Sequence, residues 1–273
     1  MSHAVHVAEL RSRATIALTG ADWRSFLQGL ITQDVDTLAP GELRFGALLT
    51  PQGRLLYDLF VLGLDEGCLI DCAGAHRDAL IQRLTIYRLR AKVRIEASDV
   101  IVTAAWGDSP EAPPGFVADP RLAALGWRGY GAAVPPGAER AHEADYDRHR
   151  LSLGVPGADD WGSDRAYPIE ADFDLLAGID FRKGCFVGQE TTSRMKRRGA
   201  IKSRMLAIAF EGDPPPPGAE LLAGTLRAGE VLSGARGLAM ALVRLDRLDA
   251  GERKLLDGRP WRPIKPDWLS DSV

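Results

Sequence analysis

What this 273-residue chain lacks narrows the readings before any motif is considered. It has no apolar run near the roughly 20 residues that cross a bilayer, and no basic stretch leading into an apolar one in residues 1–10. A membrane span and a secretory leader are therefore set aside, and a cytoplasmic protein of bacterial type is expected. Cysteine is scarce: three residues, at 68, 72 and 185, an odd and small number that argues against a disulfide framework and for a reducing compartment. There is no strong charge of one sign, since the net charge is -3, and duplex nucleic acid calls for a more basic chain. With 45% apolar and 26% charged residues the composition is that of an ordinary globular protein.

Catalytic signatures are missing too. The histidines at 3, 6, 76, 142 and 149 form no His-Glu-x-x-His, no serine lies in Gly-x-Ser-x-Gly, and there is no P-loop or dinucleotide fingerprint. Hydrolase, NTPase and dehydrogenase chemistry lack their usual equipment. Cys68 and Cys72 have no second Cys or His pair at metal-ligand spacing, so they read as core residues and no intrinsic metal is expected.

What is present suggests two to three domains, at roughly 100 to 150 residues each. Residues 14–20 read as a strand ending at a glycine turn. A helix follows, capped by Asp22, with Trp23, Phe26, Leu27, Leu30 and Ile31 on one face. Residues 45–50 and 55–62 read as a hairpin joined by Pro51-Gln52-Gly53-Arg54. A strand at 68–72, a helix at 75–89 with Leu80, Leu84, Tyr87 and Ile81 inward, and a strand at 91–97 complete an α+β unit. Residues 107–140 carry prolines 110, 113, 114, 120, 135 and 136 and read as loops and edge strands; residues 142–153 read as a helix. Beyond residue 203, short apolar runs and the spacer Pro214-Pro215-Pro216-Pro217-Gly218 suggest a small β-barrel.

The segment richest in chemistry is Lys183-Gly184-Cys185-Phe186-Val187-Gly188-Gln189-Glu190. Glycines 184 and 188 let the backbone around Cys185 approach a ligand closely. Residues 189–198 read as a helix, with Glu190 in its first turn, Lys196, Arg197 and Arg198 in its last, and Gly199 beyond. Cys185 then precedes a helix N-terminus, whose partial positive charge, with Arg182 and Lys183, favours the thiolate. The same terminus suits a carboxylate or phosphate. A lone cysteine is more often a packing residue; its glycines and cations shift this one towards function.

Arg182, Lys183, Arg194, Lys196, Arg197, Arg198, Lys202 and Arg204 crowd into 23 positions containing one acid, Glu190. Such a stripe is usually a solvated face, but next to Cys185 it points to an anionic ligand. Upstream, Glu170, Asp172 and Asp174 supply carboxylates that could read the amino group and ring N–H of a pterin.

From residue 168 to residue 199 the sequence closely resembles the signature of the YgfZ family, folate-binding proteins of iron-sulfur cluster assembly and repair related to the aminomethyltransferase (T protein) of glycine cleavage. The resemblance extends to Phe26-Leu27-Gln28-Gly29-Leu30-Ile31-Thr32-Gln33-Asp34-Val35, to Leu49-Thr50-Pro51-Gln52-Gly53-Arg54-Leu55-Leu56 and to residues 87–96. It implies an α+β, three-lobed, T-protein-like fold with folate in a central opening. Residues 1–45 with 115–200 would form a discontinuous first lobe, 46–114 a second, and 201–273 a C-terminal β-barrel.

The resemblance also implies a site. Cys185 is the functional cysteine and Lys183 its catalytic neighbour. Glu170 stands where the aminomethyltransferase has a pterin-binding glutamate, and Asp58 near its catalytic aspartate; Gly184, Gly188, Gln189 and Arg194 join them on the folate side. The aminomethyltransferases lack Lys-Gly-Cys. The expectation is thus a monomeric factor that binds tetrahydrofolate or a derivative and serves iron-sulfur client or assembly proteins, rather than a conventional transferase. Two other readings stay open: a folate-dependent one-carbon transferase using Asp58, and an RNA-binding module using the basic stripe with Phe181 and Phe186.

Overall fold

The computed structural model describes residues 5–272 except 108, 110, 163 and 200, so His3, Pro110 and the chain start read above lie outside it. The N-terminal part holds β1 (Val5–Glu9), β2 (Arg13–Thr19), α1 (Trp23–Gln28), β3 (Leu43–Leu49), β4 (Leu55–Leu64), β5 (Gly67–Ala73), α2 (Arg77–Arg88) and β6 (Arg94–Ser98). Next come β7 (Val102–Gly107), β8 (Phe116–Ala118), β9 (Trp127–Tyr130), β10 (Glu139–Arg140), α3 (Glu143–Ser152), α4 (Ala158–Trp161) and α5 (Gln189–Arg198). The last part is all strand: β11 (Ser203–Phe210), β12 (Glu220–Ala223), β13 (Leu226–Ala235), β14 (Leu238–Arg244), β15 (Arg253–Leu255) and β16 (Trp261–Pro263), with short 3-10 turns between.

The first sheet is antiparallel, ordered β3-β4-β5-β2-β6. One face packs on α1 and α2, where Ile16, Leu18, Leu59, Val61 and Ile70 meet Trp23, Leu27, Leu80 and Leu84. Leu80 and Leu84 are one turn apart, so both point inward, each contributing about 1.5–3 kcal/mol of burial. The opposite face carries Phe45, Ala47 and Phe60 against Trp161, Phe173, Met205 and Met240, joining this sheet to the 161–186 segment and to the barrel.

Strand pairing does not follow the expected lobe limits. β3 runs through the break at 45/46, and β2 pairs with β5 and β6, all within one sheet. β7, expected with the second lobe, pairs with β1 and β9 in a second sheet ordered β10-β1-β7-β9-β8. Hydrogen bonding thus groups residues 13–98 in one sheet and 5–9 with 102–140 in another; strand partners are chosen by long-range register, which local sequence does not encode. The third sheet, β15-β12-β13-β14-β11-β16, closes on itself where Lys254 bridges Pro260. It is the expected C-terminal barrel.

Two local expectations change. Asp22 stands at the start of α1, but its carboxylate accepts from Lys92 N at 2.7 Å instead of capping the helix. Leu30 and Ile31 lie beyond the end of α1; both are still buried, and Ile31 bridges to Leu48. The β3–β4 hairpin forms as read: Gly53 takes φ +83° and its N–H donates to Thr50 O at 2.8 Å.

Candidate functional site

Of the three cysteines, Cys185 is exposed and the other two are buried. Cys68 and Cys72 lie on β5 in the core beneath the helices, and desolvation pushes both thiols up to about 12. They are packing residues. Cys185 lies on the loop leading to α5, whose N-cap Gly188 is left-handed at φ +81°. Nothing surrounds the position of a Cβ on exposed Gly184, so one flank of the thiol is open space.

The loop is held by the same segments that carry the family resemblance. Lys183 is buried, and its ammonium donates to the carbonyls of Gln28 (2.7 Å), Ile31 (2.6 Å) and Gln33 (2.8 Å), where the chain leaves α1. All three of its hydrogens are thereby taken. Desolvation draws this ammonium down to about 8, against the attraction of Asp34, Asp180 and Asp36. In this position Lys183 ties Cys185's loop to residues 28–33.

Thr32 adds a second tie: its hydroxyl donates to Gly178 O (2.6 Å) and accepts from Ala47 N (2.8 Å), while its carbonyl accepts from Asp180 N (3.0 Å). The Gln33 amide reaches Ala177 O at 2.6 Å. The third tie is a close approach of two glycines. A Cβ on Gly188 would lie 2.7 Å from Thr50 O and 2.9 Å from Gly53 Cα; one on Gly53 would lie 2.8 Å from Thr191 Cβ. Neither position admits a larger residue without displacing backbone.

Gln189 opens α5 and is half-buried; Arg194 is exposed. Lys196 pairs with Asp174 (3.6 Å) and lies over the Phe181 ring (5.4 Å), fastening the far end of α5. Asp174 and Asp172 both bind the buried Arg204. Two of the upstream carboxylates therefore anchor β11 to this segment. Asp172 holds φ +61°, its Oδ2 has no partner among the described residues, and burial pushes it up to about 8 against the pull of Arg204. Glu170 is half-buried beside them and accepts from Tyr167 N at 2.9 Å; desolvation raises its pKa, opposed by that N–H and by Arg54.

Asp58 lies elsewhere, on β4, lining a cavity of about 540 Å3 with Phe60, Tyr146 and Trp161. Glu170 and Cys185 are not among that cavity's lining residues. The cavity rests on a charge network that sequence reading missed. Arg13 donates to Asp58 (2.6 Å) and Asp71 (2.7 Å), Arg128 donates to Asp71 (2.6 Å), and Arg121 binds Asp119 (2.7 Å). Phe60 has Arg128 3.9 Å and Arg121 4.9 Å from its ring centre. The available signal was a charged residue in an apolar strand, Asp71 in Leu69-Ile70-Asp71-Cys72. Its carboxylate is fully buried, and Tyr130 donates to it at 3.1 Å.

Known proteins are similar to this chain over most of its length. The human mitochondrial iron-sulfur cluster assembly factor IBA57 is 33% identical over 273 residues, an alignment covering 85% of this chain and 76% of the human protein. The chain belongs to the IBA57 family. The mouse IBA57 is 28% identical, with 88% and 77% covered; the homologue from Mycosarcoma maydis is 31% identical, and there the alignment covers 77% of this chain and 59% of the fungal protein. The model of the C-terminal β-barrel domain of CAF17 matches residues 202–271, the closed sheet described above. The glycine cleavage aminomethyltransferase T from Bartonella henselae superposes with a TM-score of 0.79 at 18% identity, over 97% of this chain and 86% of that one. This establishes the T-protein-like α+β fold.

The IBA57 relatives correct one expectation. Those from human, mouse and fungus are named mitochondrial, which overturns the cytoplasmic assignment. That assignment rested on a basic-apolar pattern, which marks secretory leaders and does not describe mitochondrial targeting segments.

Proposed function

We propose that this chain acts in iron-sulfur cluster assembly through the thiol of Cys185, serving client or assembly proteins of that pathway. The observation that carries the reading is the contrast among its cysteines: two are buried in a core, and the third is exposed on a loop fastened at three points. The names of the IBA57 relatives and the YgfZ-like Lys-Gly-Cys signature support it. The test is a cell lacking this protein. Cluster-dependent enzymes should lose activity, wild type should restore it and Cys185→Ser should not; full rescue by Cys185→Ser ends the reading.

Tetrahydrofolate or a derivative is proposed as the ligand of the cavity beside Asp58. The residues present fit such a group: Phe60, Tyr146 and Trp161 supply an aromatic lining, and the buried Arg128 Nε has no hydrogen-bond partner among the described residues. At about 540 Å3 the space is within the usual range of small-molecule pockets. Asp58 would hold the ring system through Oδ1, the oxygen that Arg13 does not bind, and Glu170 does not line this cavity. Fluorescence titration with tetrahydrofolate should show binding lost in Asp58→Ala and largely kept in Glu170→Ala. The reverse pattern would move the ligand to the Glu170 side.

The one-carbon transferase reading is favoured only by Asp58 facing the cavity, and it is weakened by the 2.6 Å ion pair that ties the carboxylate to Arg13. Turnover of methylene-tetrahydrofolate by purified protein with an aminomethyl carrier, lost in Asp58→Asn, would restore it.

A further inference from the structure

The segment joining α2 to β6 takes part in neither site described above, and it combines two surface properties that seldom occur together. From residue 83 to residue 94 the chain carries five cations and no acid. Arg88, Arg90, Lys92 and Arg94 are exposed and line an open cavity of about 550 Å3 with Thr19 and Gly20; no carboxylate lines it. Among the described residues Arg88, Arg90 and Lys92 form no ion pair, and Arg94 has an exposed one with Glu96 at 3.8 Å. Amid these cations stand Ile86, 63% exposed, and Leu89, 88% exposed, the most exposed large apolar side chain among the described residues.

Leu89 is held in place rather than left loose. Its φ of +46° favours glycine and strains leucine. The residues around it fix the loop: Ala91 N donates to Arg88 O at 2.8 Å, the Arg88 guanidinium reaches Val93 O at 3.4 Å, and Lys92 N donates to the Asp22 carboxylate at 2.7 Å. Gly20 permits this close packing, because a Cβ there would collide with Lys92 O. The fold thus holds an apolar tip out in water at a cost in both hydration and backbone conformation. Cations alone would be explained as guards of β6, an edge strand of the first sheet. A guard gains nothing from a projecting leucine, which invites contact.

An anionic bilayer surface matches both properties. Its phosphates lie where the cations can pair, and an apolar tip is stabilised roughly 5–10 Å deeper while long basic side chains reach back to the headgroups. A folded acidic protein would pair with the cations but would also need a pit fitted to the tip, and RNA offers no apolar layer. No helix among the described residues is long and apolar enough to cross a membrane, so the contact is with the surface. The whole chain, at a net charge of -3, is not drawn to such a surface, so the attraction is local. We infer that loop 88–94 anchors this protein to anionic lipid, with Leu89 and Ile86 entering the headgroup boundary and Arg88, Arg90 and Lys92 binding lipid phosphates. The inference stands apart from the use of Cys185 and from the folate reading.

The test is co-sedimentation of the full chain with vesicles of phosphatidylcholine alone or of phosphatidylcholine mixed with phosphatidylglycerol. At low salt the mixed vesicles should bind at least about tenfold more tightly, since each cation close to an anionic surface contributes about fivefold. Salt near 1 M, where the screening length is about 3 Å, should remove most of that gain. Arg88→Gln/Arg90→Gln/Lys92→Gln should lower binding to mixed vesicles by about tenfold or more. Leu89→Gly, which suits the positive φ, should lower it by about tenfold. Both variants alter exposed side chains only and should unfold at the wild-type denaturant concentration. Insertion is read by Leu89→Cys in a Cys185→Ser chain, labelled with a dye that brightens in apolar surroundings; Cys68 and Cys72 are buried and escape the label. The dye should brighten on mixed vesicles and not with soluble glycerol phosphate.

Equal binding to the two kinds of vesicle, a dye that stays dark on mixed vesicles, or an unchanged affinity in Leu89→Gly overturns the inference. So does a polyaspartate peptide or a polyuridylate oligonucleotide that binds the wild-type loop, but not the triple glutamine variant, when mixed vesicles do not bind. Binding of glycerol phosphate as tight as that of the mixed vesicles would reduce the loop to a soluble phosphate site and overturn the lipid anchor.

Discussion

Around Cys185, polar side chains serve backbone: Lys183, Thr32 and Gln33 hold carbonyls and amides, and two glycines allow their loops to touch. Around Asp58, polar side chains serve one another: Arg13, Arg121 and Arg128 are matched by Asp58, Asp71 and Asp119. The first arrangement positions a loop and leaves Cys185 exposed. The second stabilises cavity walls by mutual compensation, so the cavity presents little net charge despite its many arginines. Counting charges thus says little about the cavity, where arginines and aspartates are matched.

The strongest way to break the comparison is at the cavity. Asp71→Ala leaves Arg13 and Arg128 buried without their shared carboxylate and should cost about 3–5 kcal/mol in denaturant unfolding. A loss below about 1 kcal/mol would mean that the network is not mutually dependent.

Asp172 tests the loop side. Its value of about 8, against an ordinary 3.8, means the folded chain keeps a proton that the unfolded chain releases between those values. Its contribution to stability therefore falls as pH rises from about 4 to about 8. Asp172→Asn, tolerable at φ +61° because asparagine enters the left-handed region readily, should flatten this fall in unfolding curves measured across the window.

Lys183→Met leaves three carbonyl oxygens without their donor and should cost about 1–3 kcal/mol. Faster amide exchange in residues 28–33, with Cys185 still reactive towards dithiodipyridine, would identify Lys183 as a positioning residue. Equal protection of those amides would return it to a direct chemical role.

The glycines give the finest contrast. Gly188→Ala meets Thr50 O at 2.7 Å in a left-handed conformation and should destabilise by about 1–3 kcal/mol. Gly184→Ala points into open space and should stay within about 0.5 kcal/mol. Similar losses for both would contradict the packing of Gly188 against Gly53.

Much of this was legible in sequence, and the parts that were not share a cause. The β3–β4 hairpin, α2, α5 and the barrel's proline-led start follow from local periodicity and turn chemistry, which act over a few residues. The motifs carrying Cys185, Gly53 and Gln33 were visible too, but not their mutual contact: Lys183 reaches Ile31 across 152 positions. Asp58 and Glu170 share an expected ligand-binding role, and their contacts differ: Asp58 binds Arg13 from β4 while Glu170 accepts from Tyr167 N.

Local sequence singled out one cysteine among glycines and cations, and a helix that begins just after it. Long-range packing set the rest: Lys183 faces inward, two cysteines are buried and the third exposed, and strand pairing crosses the expected lobe limits. The reason is range. Helix and turn preferences are set by neighbours a few residues apart, whereas burial, ion pairing and sheet register depend on what distant segments bring to the same point.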